Sequence, residues 1–168
     1  MDASDHEALI LNHGTYDRVP AQEMTMKQLR HTMKANFEGA VNVWKVVQLH
    51  LAPQASMVVV SSQLATRGSP HGADYAASKA ALSTWARSLA LAVGPEGKRV
   101  NVLAPGYVDT DILAGDSDEK RNQRIQEVPL KRIGTGEDMA SIVSFLLSND
   151  AAYITGSVLH ANGGLYLP

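Results

Sequence analysis

Tyr75 and Lys79 stand four residues apart in the segment Asp74-Tyr75-Ala76-Ala77-Ser78-Lys79. On a helix, that spacing puts both side chains on one face, a single turn apart. An ammonium held beside a phenol favours the phenolate and draws the tyrosine pKa down from its usual value of about 10. A tyrosine tuned in this way gives or takes a proton near neutral pH. The pattern is short and common by itself, and a surface tyrosine beside a solvated lysine fits it equally. Its neighbours add weight. Ser62 closes the apolar run Met57-Val58-Val59-Val60, Asn36 lies in an amphipathic stretch, and Asn101-Val102-Leu103-Ala104-Pro105-Gly106-Tyr107-Val108-Asp109-Thr110 follows downstream.

Positioning these groups falls to alternating strands and helices. Residues 8–11 form a short apolar run that closes in Asn12-His13-Gly14, the pattern of a buried parallel strand and a turn. Thr25 and Gln28 make a capping box, and Leu29, Met33, Phe37, Ala40, Val41, Trp44, Val47 and Leu51 continue a helical stripe. The expected helix over 25–51 holds Asn36 close to its apolar face. An amide buried there needs hydrogen-bond partners, which neighbouring backbone can also supply. Residues 55–62 read as a second strand, with Ser61 and Ser62 at its C-terminal end, where open parallel sheets bind ligands.

Gly68, Pro70 and Gly72 turn the chain back through a loop, in which His71 reads as a solvated residue more readily than as a substrate contact. A helix rich in small residues is expected over 74–93, stopped by Gly94-Pro95. Residues 100–103 give a third strand, ended by the Pro105-Gly106 turn. Residues 112–128 are strongly charged and read as a solvated helix. A helix starting at Gly136-Glu137-Asp138 carries acids at its positive end, and a last strand over 155–159 runs to Asn162-Gly163-Gly164. Strands alternating with helices predict an α/β fold with four parallel strands and flanking helices.

Ser62, Tyr75, Lys79 and Asn36, followed by Pro105-Gly106 and Thr110, resemble the short-chain dehydrogenase/reductase family, in particular its 3-oxoacyl-carrier-protein reductase branch. The resemblance runs from about residue 8 to residue 164. It implies a Rossmann-like doubly wound sheet, an NADP or NAD cofactor, and a small carbonyl or alcohol substrate. It implies catalytic roles for four residues. Tyr75 is the proton donor and acceptor, Lys79 lowers its pKa and holds ribose hydroxyls, Ser62 binds the carbonyl oxygen, and Asn36 supports a relay water. It implies cofactor contacts from Asn12, Gly14, Tyr75, Lys79, Pro105, Gly106, Val108 and Thr110. The family's Asn-Asn-Ala-Gly reads Leu11-Asn12-His13-Gly14 here, which puts an imidazole where a methyl stands beside the cofactor. The charged segment 112–128 matches the family's substrate lid. The helices over 25–51 and 74–93 match its dimer interface, so a homo-oligomer, dimer or tetramer, is expected.

Bulk properties narrow the field. The chain has 168 residues, enough for one domain, expected to span residues 1–168, and 45% of them are hydrophobic. Its formal net charge of −2 makes no electrostatic case for nucleic acid or an anionic membrane. There are no cysteines, which suits a cytoplasmic protein. The six histidines are scattered, so no metal site is expected. The opening Met1-Asp2-Ala3-Ser4-Asp5-His6-Glu7 lacks the basic start of a signal peptide.

The family's Gly-rich phosphate turn has no counterpart, since no GxxxGxG occurs anywhere. At about 30 residues per βαβ unit, on the order of 75 residues of the family's first half are not matched. Only the second half of the doubly wound sheet is expected. The strand over 8–11, central in a complete sheet, is then an edge, which invites a second chain or aggregation. Two other functions stay open: a cofactor-free cyclase or isomerase using the Ser-Tyr-Lys cluster, and an inactive interaction subunit.

Overall fold

The computed structural model describes residues 6–168; the acidic opening at residues 1–5 lies outside the described residues. Four strands, β1 (His6–Leu11), β2 (Leu51–Val60), β3 (Arg99–Pro105) and β4 (Val158–Ala161), form one sheet in the order β1-β2-β3-β4. All three pairings are parallel. Helices α1 (Met26–Met33) and α2 (Gly39–Val47) connect β1 to β2. Short α3 (Leu64–Arg67) and long α4 (Ala73–Val93) connect β2 to β3, and α5 (Asp118–Glu127) and α6 (Gly136–Leu147) lead to β4. This is the Rossmann-like α/β arrangement that the alternating sequence pattern predicts.

The apolar run Met57-Val58-Val59-Val60 works because both faces of the sheet are covered. Side chains alternate across a strand. Met57 and Val59 therefore pack with Val100 and Val102 against α2 and α4, through Trp44, Leu82, Ala86 and Ala90. Val58 and Leu103 face the other way and meet Leu146 of α6. Small residues let α4 lie close: Ala86 is fully buried and Ala90 nearly so. Among the described residues, no helix is long and apolar enough to cross a membrane.

Several boundaries differ from the sequence expectation. The helix expected over 25–51 does open on the Thr25–Gln28 capping box. It then passes through a π-helical turn, Lys34–Glu38, before α2, and ends in a 3-10 turn, Gln48–His50. Leu51 consequently begins β2 rather than closing the helical stripe. The start of β2 is irregular. The β1–β2 register shifts between His6 and Ala8, and Gln54 takes a left-handed φ of 68°. The last strand begins at Val158 rather than at residue 155. Thr155 and Gly156 instead form a turn whose Thr155 hydroxyl accepts from the Val100 N–H, while the Gly156 N–H donates to the Val100 carbonyl. Strand β1 is an edge, as expected, and its Ile10 is 48% exposed.

Candidate active site

The C-terminal ends of β1, β2 and β3 surround a cavity of about 600 Å³. Ser62 reaches it just beyond β2. The Ser61 N–H donates to Leu103 and the Gln63 N–H to Pro105, so this turn is pinned to the end of β3. Tyr75 and Lys79 reach it from one face of α4, and both are buried. Ser61 Oγ donates to the Lys79 carbonyl at 2.9 Å, tying α4 to the same turn. Asn12 and Gly14 enter from the loop after β1, and Pro105, Gly106, Val108 and Thr110 from the segment after β3.

Of the ten residues expected at the site, Asn36 is the one that does not line this cavity. It is fully buried behind the wall, within the π-helical turn. Its Oδ1 accepts from the Thr15 N–H at 2.7 Å, and its Nδ2 donates to the Thr15 carbonyl and to Ser78 Oγ, each at 3.0 Å. Ser78 Oγ in turn donates to the Tyr75 carbonyl at 2.8 Å. Asn36 therefore braces the loop after β1 against α4. Its amide is satisfied largely by a neighbouring backbone, one of the two partner types the sequence left open.

Lys79 Nζ donates to the Val60 carbonyl at 2.9 Å and to the His13 carbonyl at 3.4 Å. Gly14 gives it room, because a Cβ there would stand 3.1 Å from Nζ. The His13 ring is absent from the cavity wall, contrary to the expectation of an imidazole beside the cofactor. It lies against Gly39, where an added Cβ would come within 2.9 Å of Nε2. His71 is exposed and contributes its backbone carbonyl.

The expected acidification of Tyr75 by Lys79 is not what the geometry gives. Nζ lies 5.8 Å from the centroid of the Tyr75 ring. Burial pushes the Tyr75 phenol above its ordinary value, Ser62 partly offsets this as a hydrogen-bonding neighbour, and Tyr16 adds to the rise. Burial also draws Lys79 down to about 8. Desolvation disfavours the charged form of each and is the largest cause of both shifts.

The charged segment over 112–128 folds as a 3-10 turn, Asp111–Leu113, followed by α5, and Ile112, Leu113 and Arg124 face the cavity. An ionic clasp holds it there. The Asp116 side chain, 3% exposed, accepts from Arg18 at 2.7 Å and from Arg124 at 2.5 Å. Arg124 also lies over the Tyr107 ring, 4.5 Å from its centroid. These two arginines hold Asp116 at a pKa of about 2, Arg124 contributing most.

Tyr16, Arg18, Gln63, Tyr107 and Arg124 line the cavity without having been singled out in the sequence. Their one sequence signal was position. Tyr16, Arg18, Gln63 and Tyr107 follow the ends of parallel strands, where ligands bind in such sheets. The residues present suit the nicotinamide half of a dinucleotide: the cavity is large enough for it, Gly14 leaves the space beside Lys79 Nζ open, and Gly106 lets the turn after β3 close against Asn162.

Comparison with known proteins supports the same lineage. The sequence model of the family described as enoyl-(acyl carrier protein) reductase matches residues 4–166. A 3-oxoacyl-(acyl-carrier-protein) reductase of Chlamydia muridarum is 43% identical over 144 residues, covering 84% of this chain and 58% of the relative. The protein of that name from Haemophilus influenzae is 33% identical over 168 residues, covering 99% of this chain and 69% of the relative. That from Escherichia coli is 42% identical over 111 residues, covering 66% of this chain and 46% of the relative. The chain thus spans about half to two thirds of the length of these relatives. A crystal structure described as a short-chain dehydrogenase/reductase, glucose/ribitol dehydrogenase, from Brucella melitensis superposes with a TM-score of 0.93 at 29% identity. That match covers 98% of this chain and 66% of the solved one. With a family match along almost its whole length, and with Ser62, Tyr75 and Lys79 gathered at one cavity, the chain belongs to the short-chain dehydrogenase/reductase family.

Proposed function

We propose that this chain carries the proton-transfer and nicotinamide-binding part of an oxidoreductase that interconverts a ketone and a secondary alcohol with NADP or NAD. The observation that carries this reading is the convergence of Ser62, Tyr75 and Lys79 on one cavity that Gly14 and Gly106 also line. Asn12, Gly14, Pro105, Gly106, Val108 and Thr110 would hold the cofactor. When bound, it supplies the hydride that the carbonyl carbon accepts, and takes it back in the reverse direction.

The chain's own residues do the rest. The Ser62 hydroxyl donates to the substrate oxygen, where negative charge develops as the carbonyl is reduced. Tyr75 gives its proton to that oxygen and completes the alcohol. Burial keeps the phenol protonated through neutral pH, so the acid is loaded for reduction. The Lys79 ammonium, already donating to two backbone carbonyls, carries a third N–H for a ribose hydroxyl. Its charge stabilises the phenolate left after transfer. The shared name of the relatives makes a 3-oxoacyl thioester the first substrate to test. A homo-oligomer suits the exposed Leu91 on α4 and Val46 on α2.

The test is consumption of reduced nicotinamide with such a thioester, with titration calorimetry of NADPH and NADH alongside. Tyr75→Phe should abolish turnover and leave cofactor affinity intact. Absence of both binding and turnover in a folded sample overturns the assignment.

A further inference from the structure

The ring of Tyr16 lies on the ring of Tyr75. Their centroids are 4.6 Å apart and the planes are inclined at 36°. Tyr16 comes from the loop after β1, and Tyr75 from the first turns of α4. The Tyr16 hydroxyl donates to the His71 carbonyl at 2.6 Å, which fixes the ring at its far end. Gly72 makes the approach possible. Its φ is +112°, and a Cβ there would stand 2.3 Å from Tyr16 Cε2, so a side chain would displace the ring. Tyr16 also lines the cavity with Tyr75 and Lys79. Ring, anchor and cleared space are three separate features that converge on one side chain.

We propose that Tyr16 is a positioning residue for Tyr75: its ring is the wall against which the acid's ring is held, and its bond to His71 keeps that wall in place. This rests on Tyr75 being the proton donor of the proposed reaction. Ser62 is a hydrogen-bonding neighbour of the Tyr75 phenol, and a tyrosine swings freely about two side-chain bonds unless something flanks it. Ser78 ties down its backbone, and Tyr16 flanks its ring. The groups that act on the phenol are Tyr16 from the β1 loop and Ser62 from the end of β2, with Lys79 one turn along α4. The Tyr16 ring lies against that of Tyr75, and the Tyr16 phenol opposes ionisation of Tyr75 through its charge. Taking the ring away should both loosen the acid and let it ionise more readily.

The experiment uses the full chain and two readouts. The first is the near-ultraviolet titration of tyrosinate, which needs neither cofactor nor substrate. The Tyr75 contribution is isolated by subtracting the curve of the matching Tyr75→Phe variant. Tyr16→Ala should shift Tyr75 ionisation to lower pH, and Tyr16→Phe, which keeps the covering ring but not the ionisable hydroxyl, should restore part of the original titration. The second readout is turnover of the 3-oxoacyl thioester. There Tyr16→Ala should lower kcat roughly 10- to 100-fold, the scale of a misplaced catalytic group. KM for the nicotinamide should stay constant, and Tyr16→Phe, which keeps the ring but loses the bond to the His71 carbonyl, should recover part of the rate. If Tyr16→Ala fails to fold, Tyr16→Leu replaces it, since it fills the volume without an aromatic face. A Tyr75 titration unchanged in Tyr16→Ala or Tyr16→Leu overturns the proposal, as does a kcat unchanged beside an active parent. If the parent shows no turnover but the titration moves as stated, the oxidoreductase reading fails while the positioning of Tyr75 by Tyr16 stands.

Discussion

Lys79 Nζ donates to the carbonyl of Val60 at 2.9 Å, so the cation on α4 is fastened to the last residue of β2. Burial at this position brings its pKa to about 8, against 10.5 for an unperturbed lysine. Between those two values the unfolded chain binds more protons than the folded one, so stability rises with pH across that window. Lowering the pH through 8 removes the gain. We expect urea midpoints to increase from pH 8 to pH 10 by an amount worth roughly 1–3 kcal/mol, and Lys79→Met to flatten the rise. Above pH 10 the elevated Tyr75 pKa acts the other way, because the folded state then holds the extra proton. Activity should decline above about pH 8 as the ammonium is lost.

Ser62 separates chemistry from stability. Its Oγ accepts from the Leu64 N–H at 3.2 Å, a modest link. Ser62→Ala should cost about 1 kcal/mol of stability yet lower kcat roughly 10²- to 10³-fold, the usual effect of removing a donor to a developing oxyanion. Steady-state kinetics beside a denaturation curve distinguish the two effects.

Asn36 should behave in the opposite sense. Removing its amide strands the half-buried N–H and carbonyl of Thr15, and Ser78 loses a donor. Asn36→Ala is expected to destabilise the fold by about 2–4 kcal/mol. Calorimetric unfolding measures this directly, and a loss under half a kcal/mol contradicts the bracing role.

The edge of the sheet is a third target. Strand β1 pairs on one side with β2, and its Ile10 is half exposed beside the cavity. We expect concentration-dependent association in sedimentation experiments. Ile10→Lys should weaken it, since a charge on an edge strand discourages pairing with another chain.

Local signals in the sequence were reliable because the forces behind them are local. Thr25 and Gln28 satisfy each other's backbone within one turn, and the capping box forms as read. Tyr75 and Lys79 share a helix face because helical geometry leaves no choice. The unbroken valines of β2 correctly implied a strand covered on both faces. What escaped depends on groups remote in sequence. The π-helical turn at Asn36 forms where that amide must reach Thr15 and Ser78. The direction of the Tyr75 shift is set by how deeply α4 is buried, which spacing does not encode. Tyr16 meets Tyr75 only once β1 and α4 are adjacent.

The two-arginine grip on Asp116 bears on the tempo of turnover. With a pKa of about 2, that carboxylate stays ionised at any pH the enzyme meets, so acidity is no key to this lock. Because the side chain is almost wholly shielded, added salt loosens it only weakly. If the segment from Asp111 to Glu127 lifts to release product, breaking the grip with Asp116→Asn should speed departure while slowing the encounter that needs the segment down, which pre-steady-state kinetics would resolve.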